Sequence, residues 1–332
     1  MKATATAHPN IALVKYWGKR DERLILPHQS SLSLTLAPLS ITTTVEWGVG
    51  EDEITLNGKP AQGTERARVL ALLDEVRAEA GRALGHARMV SAGDFPASAG
   101  LASSAAAFAA LALSARAAAG LPRDVRRESI LARKGSGSAC RSIQGGACVW
   151  QRGERSDGED SYARQAFPAE HWPELRMFVA LLSRAEKEVG SRDGMRNTVE
   201  TSPYYPAWAA DAEAELPRAL EALLRKDITA LGELSERNAW RMHASALAAD
   251  PPLCYLLPGT LEVIHALRRA RANSGLQAWF TLDAGPNPVV LTTADQLEAA
   301  EAAVRAAGAT DIVRCHVGGD ATVRLVDAGA QA

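Results

Sequence analysis

At 332 residues the chain is too long for one ordinary hydrophobic core, and its length points to two domains. Hydrophobic residues make up 47% of it and charged residues 23%, which excludes an intrinsically disordered chain. A formal net charge of -2 excludes a broad basic field for nucleic acid or an anionic membrane, so an anionic ligand has to be held by local clusters.

In chain order, the N-terminus meets His8, Pro9, Asn10 and Lys15 too early for an apolar signal-peptide core. Residues 31–36 (SLSLTL) alternate strictly and 41–47 (ITTTVEW) are rich in β-branched side chains, so both are expected as strands. Residues 54–56 run into Asn57-Gly58, a pair that favours the positive φ of a tight turn. Between 65 and 80 the apolar positions Val69, Leu72, Leu73 and Val76 make a helical stripe. The segment 104–121 (SAAAFAALALSARAAAGL) is almost continuously apolar, yet it is mostly Ala and carries Arg116. A buried helix is therefore expected there, not a membrane span, with Gly120, Leu121 and Pro122 as stop signals.

A second Gly/Ser cluster occupies 135–146, and between 151 and 174 the chain turns polar and aperiodic, which marks the expected domain boundary. Beyond it, 177–182 (MFVALL) suits a buried strand, and helical patterns follow at 207–225, 228–244 and 260–272. Strands are expected at 277–282, 289–292 and 322–326, with a helix over 296–307. Interleaving of this kind indicates an α+β fold. Cys140, Cys148, Cys254 and Cys315 form no CxxC pair and no metal-like spacing with histidine, so reduced thiols of a cytoplasmic protein are expected.

Five clusters carry potential chemistry, and each alone also has a plain structural account. The loop 95–104 (FPASAGLASS) feeds a helix, and free backbone N–H groups at a helix N-terminus cradle anions; a simply capped helix is the alternative. In 135–142 (GSGSACRS), Ser136 and Ser138 fall on one side if the segment is extended, with the planar donor fork of Arg141 beside them; a surface loop explains them equally. Lys15 interrupts an apolar run and Lys19 follows a Tyr-Trp-Gly turn, where lysines commonly snorkel outward. Asp283 ends an apolar strand at a Gly-Pro turn, also a common place for an Asx turn. Ser191 and Arg192 open a polar stretch (SRDGMR) that reads locally as loop and helix cap.

Taken together and in order, these blocks resemble the diphosphomevalonate decarboxylases of the GHMP kinase superfamily. The match is carried by NIALVKYWGKRD (10–21), SSLSLTL (30–36), FPASAGLASSAA (95–106), GSGSACRSIQGG (135–146), SRDGMRNTVETS (191–202) and FTLDAGPN (280–287), with RMHA (241–244) before Pro251-Pro252. His28-Gln29 and Ser98 depart from the usual family pattern, and His8 is unusual.

The resemblance implies a two-domain GHMP-kinase fold, with a β-rich ATP-binding domain over 1–174 and a ferredoxin-like α/β sandwich over 175–332. The active site is expected in the cleft between them. It implies ATP and Mg²⁺ as cofactors, mevalonate 5-diphosphate as substrate, and a homodimer without nucleic-acid or membrane partners. The implied reaction phosphorylates the tertiary 3-hydroxyl, then loses phosphate and CO2 to give isopentenyl diphosphate.

By the same resemblance, Asp283 serves the hydroxyl as base or orienting group, Lys15 supports it, and Arg141 holds the carboxylate. Tyr16, Lys19, Ser136, Ser138, Ser191 and Arg192 are implied for the substrate. Pro96, Ser98, Ala99, Gly100, Leu101, Ala102, Ser103 and Ser104 are implied for ATP, with Ser103 or Ser104 near the metal. The same residues leave three alternatives: a decarboxylase of the monophosphate, a GHMP kinase that phosphorylates without decarboxylation, and a non-catalytic ATP-binding regulator.

Overall fold

The computed structural model describes residues 1–95, 103–185 and 187–326. The first strands are β1 (Lys2–Ala7), β2 (Asn10–Val14), β3 (Lys19–Asp21), β4 (Leu26–Pro27), β5 (Ser31–Ala37) and β6 (Ile41–Val49). A hairpin of β7 (Glu53–Leu56) and β8 (Lys59–Pro60) precedes helix α1 (Gly63–Ala80) and strand β9 (His86–Gly93). Asn57 and Gly58 close the hairpin with φ of 47° and 77°, the pair of positive values that a two-residue turn needs to match strand twist. Along α1 the buried residues are Val69, Leu72, Leu73 and Val76, the stripe that the periodicity predicts. Strand β6 buries Ile41, Thr43, Val45 and Trp47 on one face, so the core side of this sheet follows period two.

Helix α2 (Ser103–Ala118) packs on β1 and β6, and its small alanine side chains let the helix sit close to the sheet. Helix α3 (Val125–Gly135) packs against it; a Cβ on Gly135 would lie 2.1 Å from the Phe108 ring, so glycine permits the approach. The chain then makes a short 3-10 turn over Gly137–Ser142. The extended geometry considered for 135–142 holds at Ser136, but Ser138 lies within the turn.

After β10 (Ala147–Trp150) and β11 (Ala163–Phe167) come β12 (Leu175–Leu181) and four helices. These are α4 (Ser191–Thr201), α5 (Tyr205–Arg225), α6 (Ile228–Leu247) and α7 (Pro258–Ser274). The chain ends through β13 (Ala278–Thr281), β14 (Val289–Thr293), α8 (Leu297–Ala306), β15 (Asp311–Val317) and β16 (Thr322–Val326). The elements are α+β, as their interleaving in sequence indicates.

One sheet has the order β16-β1-β6-β9-β7-β8, and the second runs β11-β10-β5-β15-β12-β14-β13 with β2 also on β5. Strand β5 is buried at all seven positions, and β2, β10 and β15 pair along its edges. Its sequence alternation therefore separates an apolar face from a hydroxyl-bearing face, not a core face from solvent. Strand β15 meets β5 through His316–Ala37 and Val317–Leu36 alone, and β16 returns to pair with β1.

One apolar core lies between the first sheet and α1 to α3, and includes Val45, Leu73, Ala109 and Leu131. A second joins β2, β5 and β12 to α5 and α6 through Leu13, Leu34, Val179, Trp208 and Leu234. A third fills the space between β12 to β14 and α7 and α8. Among the described residues no helix is long and apolar enough to cross a membrane.

Candidate active site

Strand β2 stops at Val14, so the backbone N–H of Lys15 has left the ladder and needs another acceptor. Asn238 on α6 supplies it, with Oδ1 accepting from Lys15 N at 2.8 Å. The Asn238 amide is itself fixed, since Nδ2 donates to Glu215 on α5 at 2.8 Å. From the other side Gln29 Nε2 donates to the Lys15 carbonyl at 3.2 Å. The Lys15 side chain is 1% exposed, and Nζ donates to the Ala12 carbonyl and to Asp283 Oδ1, both at 2.7 Å. Burial pushes the Lys15 pKa down; the Asp283 carboxylate pulls it back up, and nearby Arg141 lowers it further.

Asp283 follows β13 and begins the turn into β14, where Gly285 N donates to the Asp283 carbonyl at 2.7 Å. Its side chain is 32% exposed, so one carboxylate meets a buried ammonium while remaining open to the cleft. His243 on α6 is buried beside the pair, and its pKa is pushed down to about 4, by burial first and by Lys15 second. It is a neutral imidazole at physiological pH.

Arg141 sits in the 3-10 turn, buried, with Nη1 donating to Ser31 Oγ at 2.6 Å. Its Nε and Nη2 share the Asn10 Oδ1 acceptor at 3.3 and 3.2 Å. Asn10 is held in turn by Nδ2 bonds to the Ser138 carbonyl at 3.0 Å and Ser142 Oγ at 2.7 Å. These partners of the guanidinium are all neutral, and burial pushes its pKa down from the usual range. A desolvated cation bonded to neutral oxygens retains its attraction for an anionic ligand.

Lys15, Tyr16, Lys19, Ser103, Ser104, Ser136, Ser138, Arg141, Ser191, Arg192 and Asp283 all line one cavity of about 630 Å³. Thus every site residue expected from sequence that falls among the described residues faces the same space. Pro96, Ser98, Ala99, Gly100, Leu101 and Ala102 lie outside the described residues. Among the described residues, six cations (Lys15, Lys19, Arg68, Arg141, Lys187 and Arg192) line this cavity against two carboxylates (Glu65 and Asp283). A chain with a net charge of -2 therefore concentrates positive charge in its cleft.

Tyr16 is brought close by Gly137, where a Cβ would lie 2.8 Å from the tyrosine ring. Its buried hydroxyl has no hydrogen-bond partner among the described residues. Lys19 Nζ pairs with Glu22 at 2.5 Å. Ser191 and Arg192 stand on the first turn of α4, so the polar stretch that reads locally as loop and helix cap is the start of a helix. Ser104 Oγ lies 3.2 Å from Ser136 Oγ, joining the start of α2 to the segment that carries Arg141.

Several lining residues were not singled out from sequence. Lys187 Nζ donates to Ser191 Oγ at 2.7 Å and to the Ala284 carbonyl at 3.1 Å, and burial lowers its pKa. In sequence it belongs to a charged run that reads as solvated surface. Arg68, on the polar side of α1, donates to the Gly135 carbonyl at 3.1 and 2.6 Å, and burial pushes its pKa down to about 10. Asn10 was visible only as the first letter of a block. His28 and Gln29, the pair that departs from the family pattern, brace the Lys15–Lys19 segment: His28 Nε2 lies 3.0 Å from the Lys19 carbonyl.

A smaller apolar cavity of about 170 Å³ adjoins this one, lined by Ile41, Met89, Phe95, Phe108 and Leu111 and sharing Arg68, Ser103 and Ser104 with it. Among the described residues there is no group of three His, Cys, Asp or Glu side chains that could hold a metal by themselves. The hydroxyls of Ser103 and Ser104 do suit Mg²⁺, which keeps several waters and is held by few protein groups together with nucleotide phosphates.

Residues 7–163 match the family description "Diphosphomevalonate decarboxylase-like N-terminal domain", and 177–322 match "Mevalonate 5-diphosphate decarboxylase C-terminal domain". The diphosphomevalonate decarboxylase of Bos taurus is 41% identical over 324 residues, covering 91% of this chain and 79% of the relative. The crystal structure of mevalonate diphosphate decarboxylase from Staphylococcus aureus superposes with a TM-score of 0.91 at 35% identity, over 98% of each chain. A second solved structure, described as "MDDEF in complex with MVAPP, AMPPCP and Magnesium", gives 0.90 at 41% identity, over 98% of this chain and 99% of that one.

Proposed function

The chain belongs to the diphosphomevalonate decarboxylase family, and we propose that Asp283, Lys15 and Arg141 carry its chemistry. It has the two-domain GHMP-kinase fold and converts (R)-5-diphosphomevalonate and ATP to isopentenyl diphosphate, ADP, phosphate and CO2. ATP and Mg²⁺ are its cofactors.

The observation that carries the reading is one cavity in which a buried Lys15 pairs with a cleft-facing Asp283 and a buried Arg141 is bonded to neutral oxygens. A tertiary alcohol is a weak nucleophile, so its proton needs an acceptor as it attacks the γ-phosphorus. Asp283, anchored through one oxygen by Lys15 and open to the cleft, takes that proton or orients the hydroxyl. The Lys15 ammonium offsets charge on the transferring phosphoryl group.

The new phosphate is a far better leaving group than hydroxide. As it departs, the C–C bond to the carboxylate supplies the electrons that quench positive charge at C3, and CO2 is released. Arg141 holds that carboxylate, with its C–C bond aligned to the leaving group, and Ser136 and Ser138 bond to adjacent groups. Tyr16, Lys19, Ser191 and Arg192 take the diphosphate. The apolar side cavity is the right kind of surface for a nucleobase, with Ser103 and Ser104 between it and the phosphates. When bound beside them, Mg²⁺ offsets the charge of the nucleotide phosphates.

We place the boundary between the two units near 174/175, within the interval that the two family matches leave open. A cytoplasmic location is supported by four free cysteines, three of them buried. The substrate assignment is tested by comparing kcat/KM on mevalonate 5-diphosphate and on the 5-monophosphate. Higher kcat/KM on the diphosphate is expected, and a preference for the monophosphate would overturn the assignment.

A further inference from the structure

Lys19 does not stand free in the cleft. Where β3 turns toward β4, its Nζ lies 2.5 Å from Glu22 Oε2. The two ends of this pair differ in their surroundings: the lysine side chain is 2% exposed and the glutamate side chain 44%. Burial pushes the Lys19 pKa down, Arg192 and Arg196 add to that, and Glu22 opposes it. Lys19 and Arg192 line the cavity, whereas Glu22 is not among the lining residues. The lysine main chain is pinned as well, because its carbonyl meets His28 Nε2 at 3.0 Å. Of the two partners, only the carboxylate has water to return to.

We propose that Glu22 is an internal stand-in for the substrate's phosphoryl groups, holding the Lys19 ammonium before substrate arrives and yielding it to the incoming diphosphate. The proposal rests on the reading of Lys19 as a diphosphate ligand. The exchange is one anion for another on a single cation, with no covalent bond made or broken. A diphosphate brings more charge and more acceptor oxygens than a carboxylate and has Arg192 within reach as well, so it displaces Glu22 toward solvent. The apparent affinity is thereby lower than the bare cation would give, because only the fraction of molecules with Lys19 uncovered is ready to bind. An ion pair with its carboxylate end exposed to water accounts for about a two- to fivefold reduction.

The test is calorimetric binding of mevalonate 5-diphosphate, without ATP, to wild type, Glu22→Gln, Lys19→Met and the double variant. Glu22→Gln is expected to bind about two- to fivefold more tightly, and Lys19→Met more weakly. In the Lys19→Met background the Glu22 substitution is expected to change nothing. If Lys19→Met weakens binding but Glu22→Gln leaves it unchanged or weaker, Glu22 does not compete and Lys19 keeps its assignment. Tighter binding that persists in the double variant would mean a general charge effect and would also overturn the proposal. Unaltered binding by Lys19→Met would remove the reading of Lys19, and the proposal with it.

Discussion

Lys15, Arg141 and His243 are all nearly without solvent, and each tolerates burial differently. Lys15 keeps a carboxylate partner, Arg141 has neutral acceptors, and His243 gives up its charge. That last choice has a consequence for stability. The pKa of His243 is held down to about 4 in the folded chain against 6.5 as the ordinary value. Below the ordinary value the unfolded chain takes up a proton that the folded chain refuses. Stability from this group is thus present above about pH 6.5 and is lost as pH falls toward about 4. By pH 5 the loss is about 2 kcal/mol. In urea unfolding at pH 7.5 and 5, His243→Gln is expected to lose less stability than wild type by about that amount. Identical pH dependence in the two proteins would contradict it. Asp283, Lys15 and Arg141 stood out in sequence as charged residues in apolar or turn settings, their roles came from the family resemblance, and their partners were not legible. Asn10, Asn238 and Glu215 are ordinary polar residues whose role emerges only when strands and helices meet.

At the scale of elements, the segment carrying Arg141 is held by the turn between the last two strands. Gly146 N donates to the Gly318 carbonyl at 2.8 Å, Gly145 N to Asp320 Oδ1 at 2.8 Å, and Ala321 N to the Ile143 carbonyl at 3.2 Å. A Cβ on Gly145 would lie 2.1 Å from the Gly319 carbonyl carbon, which is backbone and has no rotamer to change. Gly145→Ala is therefore expected to cost on the order of 3 kcal/mol, read as a lower urea midpoint with an unchanged slope. A midpoint within error of wild type would show that the turn moves freely. The well-marked elements follow directly from local sequence: α1 from its period, α2 from its alanine-rich apolar run, β6 from its β-branched residues and the turn at Asn57-Gly58 from its residue pair. Helix α3 and strand β15 do not. VRRESILARKG is rich in charge, yet Glu128 and Arg133 are buried, Glu128 with Arg123 and Arg133 on the carbonyls of Leu24 and Gly158. In DIVRCHV only Cys315 is fully buried, so no alternation marks the strand even though β5 and β12 flank it.

For the molecule as a whole, the central contact joins the chain's two ends. Lys15 and Asp283 are 268 residues apart, and Arg141 meets Asn10 across 131. Local pattern carries no information about such pairs. What made the site legible was the collinear order of several long blocks, and the two sheets explain why that order matters. Strand β2 brings Lys15 to the wall of the cleft, the 3-10 turn after α3 brings Arg141, and the β13–β14 turn brings Asp283. The electrostatic result is also global, since a chain that is slightly acidic overall lines its cleft with cations.

The reaction turns on Asp283 acting at the tertiary hydroxyl, and a single-turnover experiment tests this directly. Excess enzyme is mixed with ATP and carboxyl-labelled mevalonate 5-diphosphate, and ADP and CO2 are followed together in wild type and Asp283→Asn. Wild type is expected to release the two in equal amounts. The variant is expected to bind both ligands and to form both products more slowly by a factor on the order of 10²–10⁴. Near-normal rates of ADP and CO2 formation in Asp283→Asn would contradict it.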